Sequence, residues 1–261
     1  MSDAAALRQA LERHATLAVA VSGGVDSMTL AHFAHTETAC RALMVHAASP
    51  AVPAHATARV RAHAARFGWE LIVTDAGEFA DPRYRANPVD RCYFCKSNLY
   101  DRIRGLTDAP IASGANLDDL DDYRPGLIAA KERDVVHPFI EAGFAKSAVR
   151  ALARSMALED LAELPAQPCL SSRIQTAIEV RPTDLAFVDA VEQAAAESLL
   201  PATTIRCRIT RDGVVLELGP ADATAREALQ RRVAAMCRDA GMNFVGVKDY
   251  VRGSAFVQAA R

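Results

Sequence analysis

The chain has 261 residues, of which 51% are hydrophobic and 24% are charged, and its formal net charge is −2. This composition is typical of a soluble globular protein that is long enough for one large domain or two smaller ones. The small net charge gives no general argument for binding to nucleic acid or to membranes. The sequence lacks a secretory signal pattern and any uncharged apolar run of the roughly 18 residues that span a bilayer, so we expect a cytoplasmic protein.

The first part of the chain alternates predicted helices and strands. A short amphipathic helix at 4–14 comes first, and a continuous apolar run at 17–21 predicts a buried strand. Further strands and helices follow in turn: strands at 42–46, 69–74 and 110–114, and helices at 26–36 and 54–67. This alternation predicts an α/β fold with a doubly wound parallel sheet. The loop after the first strand then lies at the carboxyl edge of the sheet, where such folds bind ligands.

That loop has the sequence Ser22-Gly-Gly-Val-Asp-Ser27. Its glycines permit a tight turn, and the helix start that follows directs backbone N–H groups and the positive dipole end at one point. Such an arrangement favours a phosphate group. A glycine pair after a strand is often only a turn, but the full string is more specific. It lacks the Gly-Lys-Ser/Thr ending of a Walker A loop, so it predicts a phosphate site of another kind.

Three cysteines have positions that indicate chemistry. Cys92 and Cys95 follow a polar, proline-containing connection at 75–91 and run into a helix predicted at 96–103. Their spacing lets both sulfurs reach one metal ion or pair with each other. Cys169 lies in a proline-containing loop at 164–174 that we expect to be exposed. Three thiols can hold a four-iron four-sulfur cluster and leave one iron open. The remaining cysteines lie in apolar or alternating patterns and are predicted to be packing residues: Cys40, Cys207 and Cys237.

An acidic loop at 115–126 follows the strand predicted at 110–114. We interpret it either as a solvated surface loop or as a loop that faces a nucleotide or its magnesium ion. A short strand at 135–139 and a helix that begins at Ser147 are predicted next. We place a domain boundary near residue 175, so that residues 1–175 form the first domain.

Residues 176–261 have a different pattern. Strands at 204–210 and 214–218 alternate apolar and polar residues, and a glycine-containing turn joins them as a hairpin. Helices are predicted on either side of the hairpin, at 183–199 and 224–240, and a last strand at 244–252. We therefore expect a small α+β domain at the end of the chain.

Several strings together resemble one family. In chain order they are Ser22-Gly-Gly-Val-Asp-Ser27, Arg91-Cys-Tyr-Phe-Cys-Lys96, Gly114-Ala-Asn116 with Asp118 and Asp119, Asp122-Tyr-Arg-Pro-Gly126, Pro168-Cys-Leu-Ser-Ser-Arg173 and the strand with Arg206 and Arg208. This combination resembles the LarE family of ATP-dependent sulfur transferases, which builds the nickel-pincer nucleotide cofactor of lactate racemase. The family belongs to the PP-loop ATP pyrophosphatase superfamily, so the resemblance implies an adenine nucleotide alpha hydrolase-like fold.

The resemblance also implies a reaction. ATP would adenylate a carboxylate of a pyridinium dicarboxylate mononucleotide, and sulfur would then displace AMP to give a thiocarboxylate. The family uses two sulfur sources: an extra sulfide on a [4Fe-4S] cluster held by Cys92, Cys95 and Cys169, or the sulfur of the cysteine that matches Cys169, which becomes dehydroalanine. All three cysteines are present here, so we favour the cluster, and the second source stays open.

The family's site residues can be carried over by motif. ATP would be bound by the phosphate loop and by residues at and just after the end of the strand predicted at 110–114: Ser22, Gly23, Gly24, Val25, Asp26, Ser27, Gly114 and Asn116. Asp26 and the three thiols are the expected catalytic residues, with Mg²⁺ offsetting the charge of Asp26 among the phosphates. Three arginines are expected to bind the substrate phosphate: Arg173, Arg206 and Arg208. The family also suggests a homo-oligomer, and the sulfur donor stays unknown.

Other functions share parts of this pattern. A tRNA thiolase has the same phosphate loop and sometimes three cysteines, but it needs a large basic face, which a slightly acidic chain does not predict. An ammonia-dependent amide synthetase has the loop but no use for the thiols. A non-enzymatic nucleotide-sensing or metal-storage module would bind ATP without releasing AMP and pyrophosphate.

Overall fold

The computed structural model describes residues 4–121, 124–200 and 203–251. The strands are β1 (Thr16–Ala20), β2 (Arg41–Ala47), β3 (Glu70–Thr74), β4 (Ile111–Ser113), β5 (Ile205–Thr210), β6 (Gly213–Leu218) and β7 (Phe244–Asp249). The helices are α1 (Ala4–Glu12), α2 (Val25–Glu37), α3 (Ala54–Phe67), α4 (Pro82–Arg85), α5 (Arg91–Arg104), α6 (Pro125–Lys131), α7 (Pro138–Glu141), α8 (Lys146–Ser155), α9 (Glu159–Ala162), α10 (Pro182–Ala196) and α11 (Ala223–Asp239). Short 3₁₀ turns occur at Glu78–Ala80, Leu117–Leu120 and Leu170–Arg173. Within the described ranges, no helix has the length and apolar character needed to cross a membrane.

The first compact unit comprises Met1–Asp81 and Asp90–Gln167. It is built on a four-stranded sheet with the order β3-β2-β1-β4, in which each pair of neighbours is parallel. Helices connect the strands, because parallel neighbours need a crossover. The α/β fold with a doubly wound parallel sheet, predicted from the alternating pattern, is confirmed.

The central strand β1 explains why the sheet carries helices on both faces. Leu17 and Val19 are fully buried in a core formed with α1, α2, α8 and α9. Ala18 points to the opposite face, where Tyr100 and Ile103 of α5 cover it. Side chains alternate along a strand, so a continuous apolar run is buried on both sides. The carboxyl end of β1 is therefore held rigidly between two layers of helices.

The second compact unit comprises Pro82–Val89 and Pro168–Arg261. Its three-stranded sheet has the order β5-β6-β7, with β5 and β6 antiparallel and β7 parallel to β6. Gly213 forms the predicted hairpin turn with φ +129°, and a Cβ there would lie 2.4 Å from the Asn243 carbonyl oxygen. With α10 and α11 this sheet confirms the small α+β domain at the end of the chain. The domain ranges 1–175 and 176–261 stay predictions. The compact units divide this part of the chain between Gln167 and Pro168.

Three local predictions need correction or limitation. The strand predicted at 135–139 is reduced to one bridge, between Ala112 and Val136, because Pro138 has no N–H to donate and begins α7 instead. Helix α5 begins at Arg91, so both cysteines of the pair lie inside the helix and not before it. The final residue of the strand predicted at 244–252 lies outside the described residues, as do Asp122 and Tyr123 of the acidic loop.

Candidate functional site

The phosphate loop predicted at Ser22–Ser27 joins the end of β1 to the start of α2. Gly23 has φ +84°, and a Cβ at this position would lie 2.8 Å from the carbonyl oxygen of Ala56, so only glycine fits. Ser27 closes the loop, because its hydroxyl accepts from the Ser22 N–H at 3.0 Å and lies 3.1 Å from the Ser22 hydroxyl. Gly24 is the N-cap of α2 and supplies no side chain to cover the first-turn N–H groups. The arrangement is suited to an anion.

Asp26 lies in the first turn of α2 and is paired with a lysine that the sequence motifs did not indicate. Its Oδ2 forms an ion pair with Nζ of Lys146, the first residue of α8. The two side chains are partly exposed, at 26% for Asp26 and 33% for Lys146. A lysine at a helix N-terminus is unfavourable because its charge opposes the helix dipole. Lys146 immediately precedes the helix predicted from Ser147, so this unusual position is the signal by which the sequence could have indicated it. The carboxylate charge of Asp26 is therefore balanced by a protein side chain.

Gly114 and Asn116 follow β4 and contact the start of α2. A Cβ on Gly114 would lie 2.7 Å from the backbone nitrogen of Ser27, so this glycine permits the close approach. Asn116 is buried, and its Nδ2 donates to Asp26 Oδ1 at 3.4 Å. The structure thus brings both residues to the phosphate loop, and their predicted role in binding ATP stays a prediction.

The acidic loop contributes backbone caps in its described part. Asp118 Oδ1 accepts from the backbone N–H of Lys146 at 3.1 Å, and Asp119 Oδ2 accepts from that of Asn116 at 3.0 Å. Asp119 also forms an ion pair with Arg124 at 2.8 Å. These two carboxylates therefore position the residues that contact Asp26.

His46, at the end of β2, supports the phosphate loop from the neighbouring strand. It is fully buried, its Nδ1 lies 2.7 Å from the Val21 carbonyl oxygen and its Nε2 lies 2.9 Å from Thr57 Oγ1. A carbonyl only accepts, so Nδ1 carries the proton, and the Thr57 hydroxyl donates to Nε2 in the neutral ring. Burial lowers the pKa of His46, which keeps this tautomer uncharged.

The predicted thiols lie in two different segments. Cys92 and Cys95 occupy the first turns of α5, where a spacing of three places them on one side of the helix; Cys92 is exposed and Cys95 is half-buried. Gly126 packs on the same helix, because a Cβ there would lie 3.0 Å from Lys96 Cγ. Cys169 is half-buried and precedes the 3₁₀ turn Leu170–Arg173.

Arg173 organises the backbone around Cys169. Its Nη1 donates to the carbonyl oxygens of Pro168 at 2.8 Å and Cys169 at 3.2 Å. Its Nε and Nη2 donate to the two carboxylate oxygens of Glu192, each at 2.9 Å, and the pair is nearly buried. All three nitrogens of Arg173 are therefore engaged within the protein. A substrate phosphate at Arg173 would have to replace Glu192, and this predicted contact stays a prediction.

Arg206 and Arg208 share one side of β5, as the alternation predicted. Arg208 Nε donates to Glu217 Oε2 at 2.7 Å, and its Nη1 donates to the Ser172 carbonyl at 3.1 Å. Arg208 lines a cavity of about 270 Å³ together with Arg173 and Lys248. The Arg206 guanidinium lies 5.8 Å from the centre of the Tyr250 ring, and burial lowers the pKa of Arg206. The structure thus brings two of the three predicted arginines to one cavity, which the carboxylates of Glu217 and Asp249 also line.

A metal site is not preformed in the part of the chain that the structure describes. There, no three His, Cys, Asp or Glu side chains are grouped closely enough to hold a metal ion. The predicted cluster ligands Cys92, Cys95 and Cys169, and a magnesium ion at Asp26, therefore stay predictions.

Comparisons with known proteins give three relatives. No protein-family model matches the chain. It is 39% identical over 166 residues to an uncharacterized protein of Synechocystis sp., and the matched stretch covers 62% of this chain and 62% of that protein. It is 24% identical over 181 residues to an uncharacterized protein of Methanocaldococcus jannaschii, with 67% of each chain covered. It is 27% identical over 186 residues to the pyridinium-3,5-bisthiocarboxylic acid mononucleotide synthase of Lactiplantibacillus plantarum, with 70% of this chain and 66% of the synthase covered.

The matched stretches thus span between 62% and 67% of the length of these relatives. The name of the third relative fits the family that the sequence motifs resemble.

Proposed function

We propose that this protein is an ATP-dependent sulfur transferase that converts a carboxylate of a pyridinium dicarboxylate mononucleotide to a thiocarboxylate. The observation that carries the proposal is the phosphate loop at the end of β1, with Gly23 in a left-handed conformation and Asp26 paired with Lys146. The name of the Lactiplantibacillus plantarum relative supports the choice of substrate. The nickel-pincer nucleotide pathway is the corresponding biosynthetic role.

The first step in this proposal is adenylation. A substrate carboxylate oxygen attacks the α-phosphorus of ATP, and the bond to the bridging oxygen of pyrophosphate breaks. The reaction needs alignment and charge stabilisation more than acid–base chemistry. The N–H groups at the start of α2 would bind the departing pyrophosphate, and Lys146 would share its charge between Asp26 and the phosphates. Mg²⁺ would enter with ATP as its counter-ion.

The second step transfers sulfur to the activated carbonyl carbon, and AMP leaves. In the route that needs one thiol, the Cys169 thiolate displaces AMP to form a thioester. Elimination then removes a proton from Cα and breaks the Cβ–S bond, which leaves dehydroalanine and the thiocarboxylate. The other route uses an iron–sulfur cluster on Cys92, Cys95 and Cys169. The presence of all three cysteines favours this second route. Cys92 and Cys95 belong to the first compact unit and Cys169 to the second, and the test below separates the two routes.

The substrate phosphate has a candidate site in the second unit. Arg208, Arg173 and Lys248 line a cavity of about 270 Å³, and Arg206 lies on the same side of β5 as Arg208. Arginine guanidinium groups suit phosphate oxygens because they donate two parallel hydrogen bonds. Arg208 is already paired with Glu217, so a bound phosphate would compete with that carboxylate.

The test is an anaerobic assay with MgATP and the pyridinium dicarboxylate mononucleotide. We expect substrate-dependent exchange between ATP and labelled pyrophosphate, AMP formation, and a product in which mass spectrometry detects oxygen replaced by sulfur. Iron content and visible absorbance, measured on the wild type and on Cys92→Ala, Cys95→Ala and Cys169→Ala, separate the two sulfur routes. A mass loss of H₂S at Cys169 after turnover would support the sacrificial route.

The same assay separates the alternative functions. Exchange that depends on tRNA and falls steeply with salt would indicate a tRNA thiolase. Amide formation with ammonia, unaffected by all three cysteine substitutions, would indicate an amide synthetase. ATP binding without any exchange, AMP or thiocarboxylate would contradict the proposed function and leave a nucleotide-binding module.

A further inference from the structure

Arg59 of α3 connects two segments that are distant in the chain. Its Nη1 donates to the carbonyl oxygen of Gly23 at 2.8 Å and to Oε1 of Gln167 at 3.2 Å. A guanidinium Nη carries two hydrogens, so one nitrogen can serve both acceptors at once. Gly23 belongs to the phosphate loop, and Gln167 ends the segment 163–167, which we call the linking segment because Pro168 and Cys169 follow it directly.

The phosphate loop rests directly on the same helix. A Cβ on Gly23 would lie only 2.8 Å from the Ala56 carbonyl oxygen, which places the loop against the first turn of α3. Arg59 lies three residues further along, on the next turn, so its side chain reaches the Gly23 carbonyl from the side. The loop is therefore attached to α3 by close packing and by a charge-assisted hydrogen bond.

Other contacts hold α9 and the linking segment to the same framework. Nε2 of His63 in α3 lies 2.8 Å from Oδ2 of Asp160 in α9. Arg150 of α8 donates to the carbonyl oxygens of Ala162 and Leu164. Lys146, one turn before Arg150, is the partner of Asp26. Two helices that contact the phosphate loop thus also hold the chain that leads to Cys169.

Arg59 is half-buried, and its charge has a defined environment. Burial lowers the pKa of Arg59, and nearby Asp160 opposes that effect. An arginine keeps its proton under these conditions, so the guanidinium stays a cation with all donors available. A lysine at this position would have the charge but not the planar pair of hydrogens.

We propose that Arg59 is a positioning residue that couples the phosphate loop to the linking segment. It acts through the Gly23 carbonyl and Gln167 and does not itself contact ATP. Binding of phosphate at the loop would tighten the Gly23–Arg59 contact and order Gln167, so ATP would change how readily Cys169 reacts. The inference rests on the proposed use of the loop for ATP, but it does not require that the product be a thiocarboxylate.

The experiment combines two measurements on the full chain. The first is the Kd for ATP by calorimetry, and the second is the rate of Cys169 alkylation by iodoacetamide, with and without MgATP, followed by peptide mass spectrometry. In the wild type we expect ATP to change the alkylation rate several-fold. In Arg59→Ala we expect a Kd raised about tenfold, as for loss of a charged hydrogen bond, and no effect of ATP on alkylation.

Three further variants isolate the coupling. Gln167→Ala removes only one acceptor, so we expect a Kd near that of the wild type but no effect of ATP on alkylation. Arg59→Lys should give intermediate values for both measurements. Arg61→Ala, an exposed arginine on the same helix, should match the wild type in both. If Arg59→Ala does not fold, as judged by thermal unfolding, Arg59→Lys and Gln167→Ala still decide the question.

The inference is overturned if ATP binds to the wild type without changing Cys169 alkylation, or if Arg59→Ala keeps both wild-type values. It is also overturned if Gln167→Ala retains the full ATP effect. A wild type that binds ATP and shows the coupling, but makes no thiocarboxylate, would contradict the proposed function and leave this inference standing.

Discussion

At the scale of single residues, the contact between Lys146 and Asp26 changes the interpretation of the phosphate loop. From the sequence, Asp26 needed a magnesium ion to offset its charge among phosphates. In the structure, the ammonium group of Lys146 already offsets the charge of Asp26. Both side chains are partly exposed, so the ion pair contributes little to stability. Its position beside the first-turn N–H groups of α2 instead favours a role in binding an anion.

We therefore expect Lys146→Met to impair ATP turnover without unfolding the protein. Loss of a cation beside the phosphates should lower kcat/KM for pyrophosphate exchange by about 100-fold, equivalent to roughly 3 kcal/mol. Lys146→Arg should recover part of the activity. Lys131→Met, an exposed lysine on α6, is the matched control and should behave as the wild type. An unchanged exchange rate in Lys146→Met would rule out this role.

The buried pair of Arg173 and Glu192 leads to a different prediction. The two side chains are 4% and 15% exposed, and Glu192 Oε1 also accepts from the backbone N–H of Cys207 at 2.9 Å. Glu192→Ala leaves a buried guanidinium without its counter-charge, so we expect a loss of about 3 kcal/mol in the free energy of unfolding.

Urea unfolding measures this change, and Gln193→Ala, at the exposed neighbouring position, should alter stability by less than about 0.5 kcal/mol. If Glu192→Ala were as stable as the control, Arg173 would not depend on Glu192, and a role in binding external phosphate would be favoured.

At the scale of elements, close backbone contacts between β4, α2 and α3 shape the phosphate loop. Gly23 packs on α3 and Gly114 packs on the first turn of α2, each where a Cβ would lie within 2.8 Å of a backbone atom. Backbone atoms cannot rotate away as a side chain can, so a methyl group at these positions displaces a whole element. The glycines thus determine how near the strand ends come to the helix start.

For Gly114→Ala we expect a loss of about 1–3 kcal/mol in stability, because the methyl group meets the backbone of Ser27. The shift of the α2 N-terminus should also raise the Kd for ATP. Gly105→Ala is the control, since a Cβ there would lie 3.4 Å from the Arg102 carbonyl oxygen at the end of α5, which is a far looser contact. Thermal unfolding and calorimetry compare the two variants; equal behaviour would show that the loop tolerates the displacement.

At the scale of the whole molecule, buried and half-buried histidines link stability to pH. Burial lowers the pKa of His32, His46 and His137 below the ordinary value of 6.5. As pH falls below 6.5, these histidines bind protons in the unfolded chain but stay neutral in the folded chain. The free energy of unfolding must therefore decrease in that range, until the pH reaches the lowered pKa values of the folded state.

We expect the unfolding midpoint to drop between about pH 7.5 and pH 5.5, with each histidine contributing at most roughly 1.4 kcal/mol per pH unit. His46→Gln should unfold at a lower midpoint but show a shallower pH dependence, because one of these buried rings is gone. Gln9→Ala, at an exposed position without a titratable group, should keep the wild-type slope. A His46→Gln slope equal to that of the wild type would exclude His46 as a contributor.

Local sequence patterns were sufficient to predict the fold class and the place of the phosphate loop. Both follow from simple rules: a continuous apolar run is buried on two faces, glycines permit a tight turn, and parallel strands present their ends at one edge. Motif resemblance also predicted Gly114 and Asn116 as ATP-binding residues, and the structure places both of them beside the loop. The strand expected at 135–139 was wrong because Pro138, which begins α7, outweighed the β-branched residues before it.

Which side chains meet could be read only from the folded chain. Lys146 is 120 residues from Asp26 along the sequence, and Gln167 is 108 residues from Arg59. No periodicity or spacing encodes such contacts, because they arise from how helices pack on the sheet. For the same reason the sequence suggested Arg173 as a phosphate ligand. In the structure, packing of α10 brings Glu192 to Arg173, whose Nε and Nη2 both donate to it. Chemistry that depends on distant partners is therefore set by the packing of whole elements and not by local pattern.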